Sequence, residues 1–283
     1  MNSTVGKNGK LYLQFKKKKD KVILSDAFSK MPMAISRPFY LDDTGIAYFY
    51  LVNPTGGLVG GDVINIIAIA EKDTHVFIST PSATKIYRTI EHPSIQNIKF
   101  IAKSNSILEY MPKLNIPFAG SAYEQKLNII MEENAIVFLL DFFVTGRNTR
   151  GEHFHFKYYK SALEIIYDNE LIITDRMFIQ PEEINYNEIG FMEGYNIMAT
   201  MYFVFHNPII EKELCGLMQE ELDKMETENI INVHGGASAF SPHGIVVRFL
   251  ATNSMELEKH IMRFWLIARK KVLDLNSLSA FFQ

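Results

Sequence analysis

Four glycines fall within ten residues at Asn53–Asp62, NPTGGLVGGD, and a glycine run that dense is a candidate phosphate cradle. Such a cradle needs a helix starting directly after the glycines, so that free N–H groups face the anion. A nucleoside-triphosphate loop also needs Lys and then Ser or Thr after its last glycine. Here Asp62 and Val63 follow, the aspartate repels phosphate, and Val63–Ala70 (VINIIAIA) is a β-branched apolar run. The spacing of Gly56, Gly57, Gly60 and Gly61 does not fit the dinucleotide pattern either. The stretch reads as a bend joining two strands, where glycine takes positive φ freely and lets another segment approach. No nucleophile-elbow motif or Ser/His/Asp arrangement marks a hydrolase.

Other residues carry charge where it is costly. Asp141 interrupts the apolar run AIVFLLDFFV, Ala135–Val144. A carboxylate there should be paired, ligated or facing a wet cavity, and Arg147, Arg150 and Glu152 are the nearest candidates in sequence. Lys85 and Arg88 follow the hydroxyl-rich STPSAT, which reads either as an internal polar network with Asp62 or Glu109 or as surface charges, with the network favoured. His234 and His243 flank GGASAFSP and read as loop histidines, with a metal pair as the alternative. Cys215, the single cysteine, rules out an intramolecular disulfide, fits a reducing compartment and does not look like a catalytic thiol.

These residues need a frame. The 283-residue chain is 47% hydrophobic, which suffices for a proper core, and its net charge of -3 argues against a nucleic-acid partner. No apolar run is long enough for a membrane span, and the N-terminus has no apolar core of signal-peptide type, so a soluble cytoplasmic protein is expected. Short β-branched and aromatic runs bounded by turn residues dominate: LYLQF, KVIL, GIAYFYLV, VINIIAIA, HVFIST, KLNIIM, AIVFLLDFFV, ALEIIY, ELIIT, NIMATMYFVF and GIVVRFL. Lys16–Lys19 read as a solvated hairpin tip, and Asp168-Asn169 as a tight hairpin turn. Two segments have helical spacing. One carries Leu214, Leu217, Met218, Leu222 and Met225. The other, Ser254–Leu273, carries Leu257, Ile261, Phe264, Trp265, Ala268 and Val272. Asn253 caps the second with Glu256 as reciprocal partner, and Arg269, Lys270 and Lys271 suit its negative end. One mainly β domain spanning 1–283, with two α-helices, is the expected architecture.

NPTGGLVGGD, TPSATKIYR, LEYMPKLNIPF and GRNTRGE occur in that order, with RPFY (Arg37–Tyr40) upstream and GGASAFSPHGIVVRFLA and FWLIARKKVL downstream. This ordered set, over nearly the whole chain, resembles the urease accessory protein UreD (UreH) family. The resemblance implies a mainly β fold of solenoid-like stacked strands with a pair of helices. It implies a non-enzymatic scaffold and nickel conduit in urease maturation, with UreF, the GTPase UreG (through UreF) and apo-urease as partners. No cofactor is expected to be tightly bound, and nickel is expected in transit.

A passage for nickel(II) needs oxygen or nitrogen ligands in place of water, and must hold the ion weakly. Under that resemblance Asp62, Glu109, Asp141 and Glu152 are the candidate carboxylates of the passage. Lys85, Arg88, Arg147 and Arg150 are the candidate polar network. Asp62 is as readily a turn residue bonding its own backbone. His153 and His155 alternate with phenylalanines and would share a strand face, giving a candidate weak nickel pair or two ordinary surface histidines. Two other readings stay open: a pure adaptor without metal transfer, and a metal-dependent hydrolase using His153, His155 and an aspartate.

Overall fold

The computed structural model describes residues 8–227 and 232–275. The chain opens with an antiparallel hairpin of β1 (Asn8–Lys18) and β2 (Lys21–Lys30). The exposed lysine run leads into its tip: Lys16, Lys17 and Lys18 still pair with β2, and the turn is Lys19 and Asp20, with Lys19 at φ 56°. After β3 (Ala34–Ile35) and β4 (Ala47–Val52), the long strands alternate between two sheets. β5 (Val63–Ala70), β8 (Ser94–Ala102), β11 (Ala122–Met131) and β13 (Tyr158–Tyr167) stack in parallel in one sheet. β4, β6 (His75–Ser79), β9 (Ile107–Met111) and β12 (Ile136–Val144) stack in parallel in the other. Short β7 (Thr84–Ile86) and β10 (Asn115–Pro117) lie between coils. This is a two-faced β-solenoid, and the EEN turn after KLNIIM is a corner where the chain changes sheet.

Antiparallel strands finish both sheets: β14 (Glu170–Ile179) pairs with β13, and β15 (Ile197–Val204), β17 (Gly244–Ala251) and β16 (Val233–Ala239) extend from β12. The β13–β14 turn places Asp168 and Asn169 at φ 46° and 67°, as the tight-turn reading requires. Among the described residues the sheets hold seven and ten strands.

In a solenoid, equivalent positions of successive coils stack into ladders. Ile66, Ile98, Leu127 and Leu163 form one such ladder across β5, β8, β11 and β13, each 5% exposed or less. A buried Ile or Leu contributes roughly 1.5–3 kcal/mol relative to exposure, so the ladder is a large part of the inter-sheet core. A second core lies behind the ten-stranded sheet, where Phe138, Leu140 and Phe142 of β12 meet α1 (Pro208–Thr227) and α2 (Ser254–Leu273).

Three helix details differ from the sequence expectation. Leu217 is 40% exposed, because Leu214, Met218, Leu222 and Met225 alone fill the buried stripe of α1. Asn253 caps α2 through Met255 and Glu256 N–H groups, at 3.0 and 3.2 Å, but Glu256 turns to Asn232 instead of returning to the cap. Arg269 does not serve the helix dipole in solvent. It lies four residues after Trp265, on the buried stripe, and is 2% exposed, which leaves Lys270 and Lys271 at the helix end.

Candidate functional site

The glycine bend joins the two sheets, and its geometry explains its composition. The Asn53 side chain accepts from Thr55 N at 3.1 Å and donates to the Gly57 carbonyl at 3.0 Å. Leu58 and Tyr87 then exchange backbone bonds with the β7 region: Leu58 N to Lys85 O, and Tyr87 N to Leu58 O, both 2.8 Å. A Cβ on Gly57 would sit 2.4 Å from the Lys85 carbonyl, so only glycine permits this approach. Asp62 closes the bend: its Oδ2 accepts from Val59 N at 2.9 Å, and its carbonyl accepts from Ile95 N at 2.8 Å. Its geometry is that of a turn residue bonding its own backbone. Lys85 and Arg88 are both exposed, so they do not take the internal positions expected of them. Lys85 alternates outward from buried Ile86 on β7.

Glu109 is fully buried, but in a structural cluster. Its Oε1 contacts His75 Nε2 at 2.6 Å and Arg269 Nη2 at 3.4 Å, and its Oε2 accepts from Trp265 Nε1 at 2.5 Å. Burial pushes the carboxyl up, but the His75 bond, the Arg269 charge and the Trp265 bond overcome it and hold the group below its ordinary range. Arg269 also lies over the Trp265 ring, 4.7 Å from its centroid, and reaches the Tyr48 hydroxyl at 3.4 Å. This cluster binds α2 to the solenoid.

Glu152 is likewise engaged. Arg147 donates Nε to its Oε2 at 2.7 Å and Nη2 to its Oε1, and Arg147 covers the Phe118 ring at 4.2 Å. The pair closes the GRNTRGE loop, where Gly146 has φ 143° and a Cβ would meet the Glu152 carbonyl at 2.1 Å. Arg150 is exposed. His153 and His155 are exposed too, and they occupy a bend instead of a strand. Phe154 between them is left-handed, φ 54°, which breaks the alternation that a shared face requires. Among the described residues, no group of three His, Cys, Asp or Glu side chains is placed to hold a metal ion. His234 lies on β16, not in a loop, and His243 packs with its ring tilted against Tyr167 and His206, with centroids 5.1 and 5.2 Å away. Cys215 is partly exposed, and burial pushes its thiol up, away from the reactive form.

Asp141 differs from the other carboxylates. It faces the inter-sheet space from β12, with Ser161 Oγ at 3.3 Å and Gln125 Nε2 at 3.5 Å. The expected pairing with Arg147, Arg150 or Glu152 is replaced by these neutral partners from the facing sheet. Burial raises its pKa, the Gln125 and Ser161 bonds oppose that, and the Asp175 charge adds to the rise. The register explains the setting. Beside the apolar ladder described above runs a polar one, Gln96–Gln125–Ser161, across β8, β11 and β13. On the other sheet Asp141, Thr200 and Arg248 sit directly opposite one another across β12, β15 and β17.

Two cavities meet at this seam. The inner one, about 70 Å³, is lined by Asn53 and Gly57 of the glycine bend, Thr80, Asn115, Gln125 and Asp141. The outer one, about 310 Å³, is lined by Asp141, Ser161, Asp175, Thr200, Tyr202 and Arg248. Asp141 alone among the four expected carboxylates lines both. Asp175, Thr200 and Arg248 were not singled out from sequence, because only the register brings them to Asp141. The one local signal is Gln125 and Ser161, polar residues at core-facing positions of apolar strands.

A body of two stacked sheets braced by two helices, with a polar seam between the sheets, defines a β-solenoid fold. The family described as UreD urease accessory protein matches residues 7–281, and the chain belongs to that family. Similar proteins include urease accessory proteins UreD of Acetivibrio thermocellus, 31% identical over 91% of this chain and 96% of that protein. That of Lachnoclostridium phytofermentans is 30% identical over 93% of each, and that of Bacillus cereus 29% identical over 88% and 89%.

Proposed function

We propose that this protein is a urease maturation scaffold that passes nickel(II) along its inter-sheet seam to apo-urease, with UreF bridging it to the GTPase UreG. The observation that carries the reading is Asp141, a half-buried carboxylate lining both cavities and held by neutral partners. Nickel(II) exchanges water for oxygen ligands, and one carboxylate flanked by a serine and a glutamine binds it too weakly to trap it. Hydrolysis of GTP belongs to UreG, since the glycine bend here runs into a strand and carries Asp62 where a phosphate would sit. The protein acts without chemistry of its own, in the cytoplasm. Activation of apo-urease with the other accessory proteins held constant tests this: omission of the chain, or Asp141→Asn, is expected to lower activation while UreF and apo-urease still co-purify.

The adaptor reading draws on a specific observation too: Asp62, Glu109 and Glu152 all make bonds that hold the fold. Wild-type activation by Asp141→Asn, with partners retained, selects that reading.

A further inference from the structure

The outer cavity carries a charge pair that the conduit reading alone does not explain. Asp175, on β14 of the seven-stranded sheet, accepts a hydrogen bond from the Tyr202 hydroxyl and an ion pair from Arg248 Nη2, both from the ten-stranded sheet. The Arg248 side chain is 57% exposed while that of Asp175 is 27% exposed, so the guanidinium lies on the solvent side of the carboxylate. Arg248 shares its row with Thr200 and Asp141, and all four residues line the same cavity. The cavity wall thus carries Asp141 and Thr200 together with Asp175, whose carboxylate the more exposed Arg248 pairs.

We propose that Arg248 is a tethered counter-cation that closes the mouth of the outer cavity and competes with a divalent cation for Asp175. The proposal rests on the conduit reading above. A guanidinium keeps its charge at every physiological pH, so proton loss never opens the mouth. It opens when the arm swings outward, which its exposure allows. Two carboxylates bordering one cavity would otherwise hold a divalent ion by joint coordination. The tethered guanidinium is present at a high effective concentration, because it cannot diffuse away. It re-pairs with Asp175 once the ion moves on, and it disfavours retention. Asp175 is thus a transient ligand, and Arg248 the residue that keeps it transient.

The probe is nickel(II) itself, measured by equilibrium dialysis against the full-length protein, with thermal midpoints recorded alongside. Arg248→Gln is expected to retain nickel at least tenfold more tightly than wild type and to release it more slowly. Arg248→Lys, which preserves a tethered charge, is expected to stay within about threefold of wild type. The double variant R248Q/D175N is expected to lose the gain. Wild-type nickel retention by Arg248→Gln overturns the proposal, whether or not its midpoint falls, since a mere brace between the sheets would alter stability alone. This failure is separable from failure of the conduit. If Asp141→Asn lowers urease activation while Arg248→Gln binds nickel as wild type does, only the counter-cation role falls.

Discussion

Trp265 Nε1 donates to Glu109 Oε2 at 2.5 Å across 156 positions of sequence, and this bond joins the last helix to the middle of the solenoid. Arg269, one turn later, adds its charge to the same carboxylate. Removing one partner of a buried pair leaves the other charge uncompensated, which costs about 3–5 kcal/mol. Arg269→Met is therefore expected to lower the unfolding free energy by about that much in urea titrations, with activation falling only as the fraction folded falls.

Glu109 also sets an acid limit. Its folded pKa lies below the unfolded value, so its stabilisation is complete above the unfolded carboxyl pKa and is lost as pH falls through the folded value. Thermal midpoints of wild type should drop across that acidic window. Glu109→Gln should show a lower midpoint at neutral pH and a shallower acid slope, and an unchanged slope would refute the assignment.

Asp141 has the opposite sign. Its folded pKa is raised, so above the unfolded carboxyl pKa the unfolded state gives up the proton first. Stability falls as pH rises until the folded value is passed, and the penalty persists at neutral pH. Asp141→Asn is thus expected to melt no lower than wild type at pH 7, with the difference shrinking in acid. A midpoint well below wild type at neutral pH would make Asp141 a structural residue.

Gly57→Ala tests the bend that closes the inner cavity. Its Cβ would collide with the Lys85 carbonyl, a backbone atom that cannot rotate away. A loss of about 1–3 kcal/mol is expected, read as a shift in urea midpoint with unchanged slope. Little or no shift would mean that the bend and β7 can separate freely.

The exposed histidines are expected to be silent. The double variant H153A/H155A should match wild type in nickel retention and in urease activation, because the left-handed Phe154 keeps the two rings from acting as a strand-face pair. A loss of nickel retention would restore them as ligands.

The local features were legible in the chain. The lysine-rich tip, the Asp168-Asn169 turn, the Asn253 cap and the strand that follows the glycine bend all follow from near neighbours, whereas the strands themselves read too short, KVIL for Lys21–Lys30 and ELIIT for Glu170–Ile179. What escaped was set by register between distant strands. Asp141 announced that it needed a partner, but the choice fell on Gln125 and Ser161 of the facing sheet instead of on the nearby arginines. Glu109 looked like a passage carboxylate because nothing in LEYM reveals that Trp265 and Arg269 will fold back onto it. Lys85 and Arg88 looked internal from their hydroxyl-rich neighbourhood, yet Lys85 takes the outward position of β7 beside buried Ile86, and Arg88 lies exposed beyond the strand. Asp175 and Arg248 carry no local mark at all, and only the meeting of β14 with β17 makes them a pair.

Cation transfer through the seam at Asp141 is the step on which the proposed function rests. Activation of apo-urease by the full accessory set, with Asp141→Asn replacing wild type at matched concentration and verified co-purification, tests it most directly. Assembled complexes are expected whose urease activation falls at least severalfold, with a thermal midpoint no lower than wild type. Full activation by that variant would contradict that step.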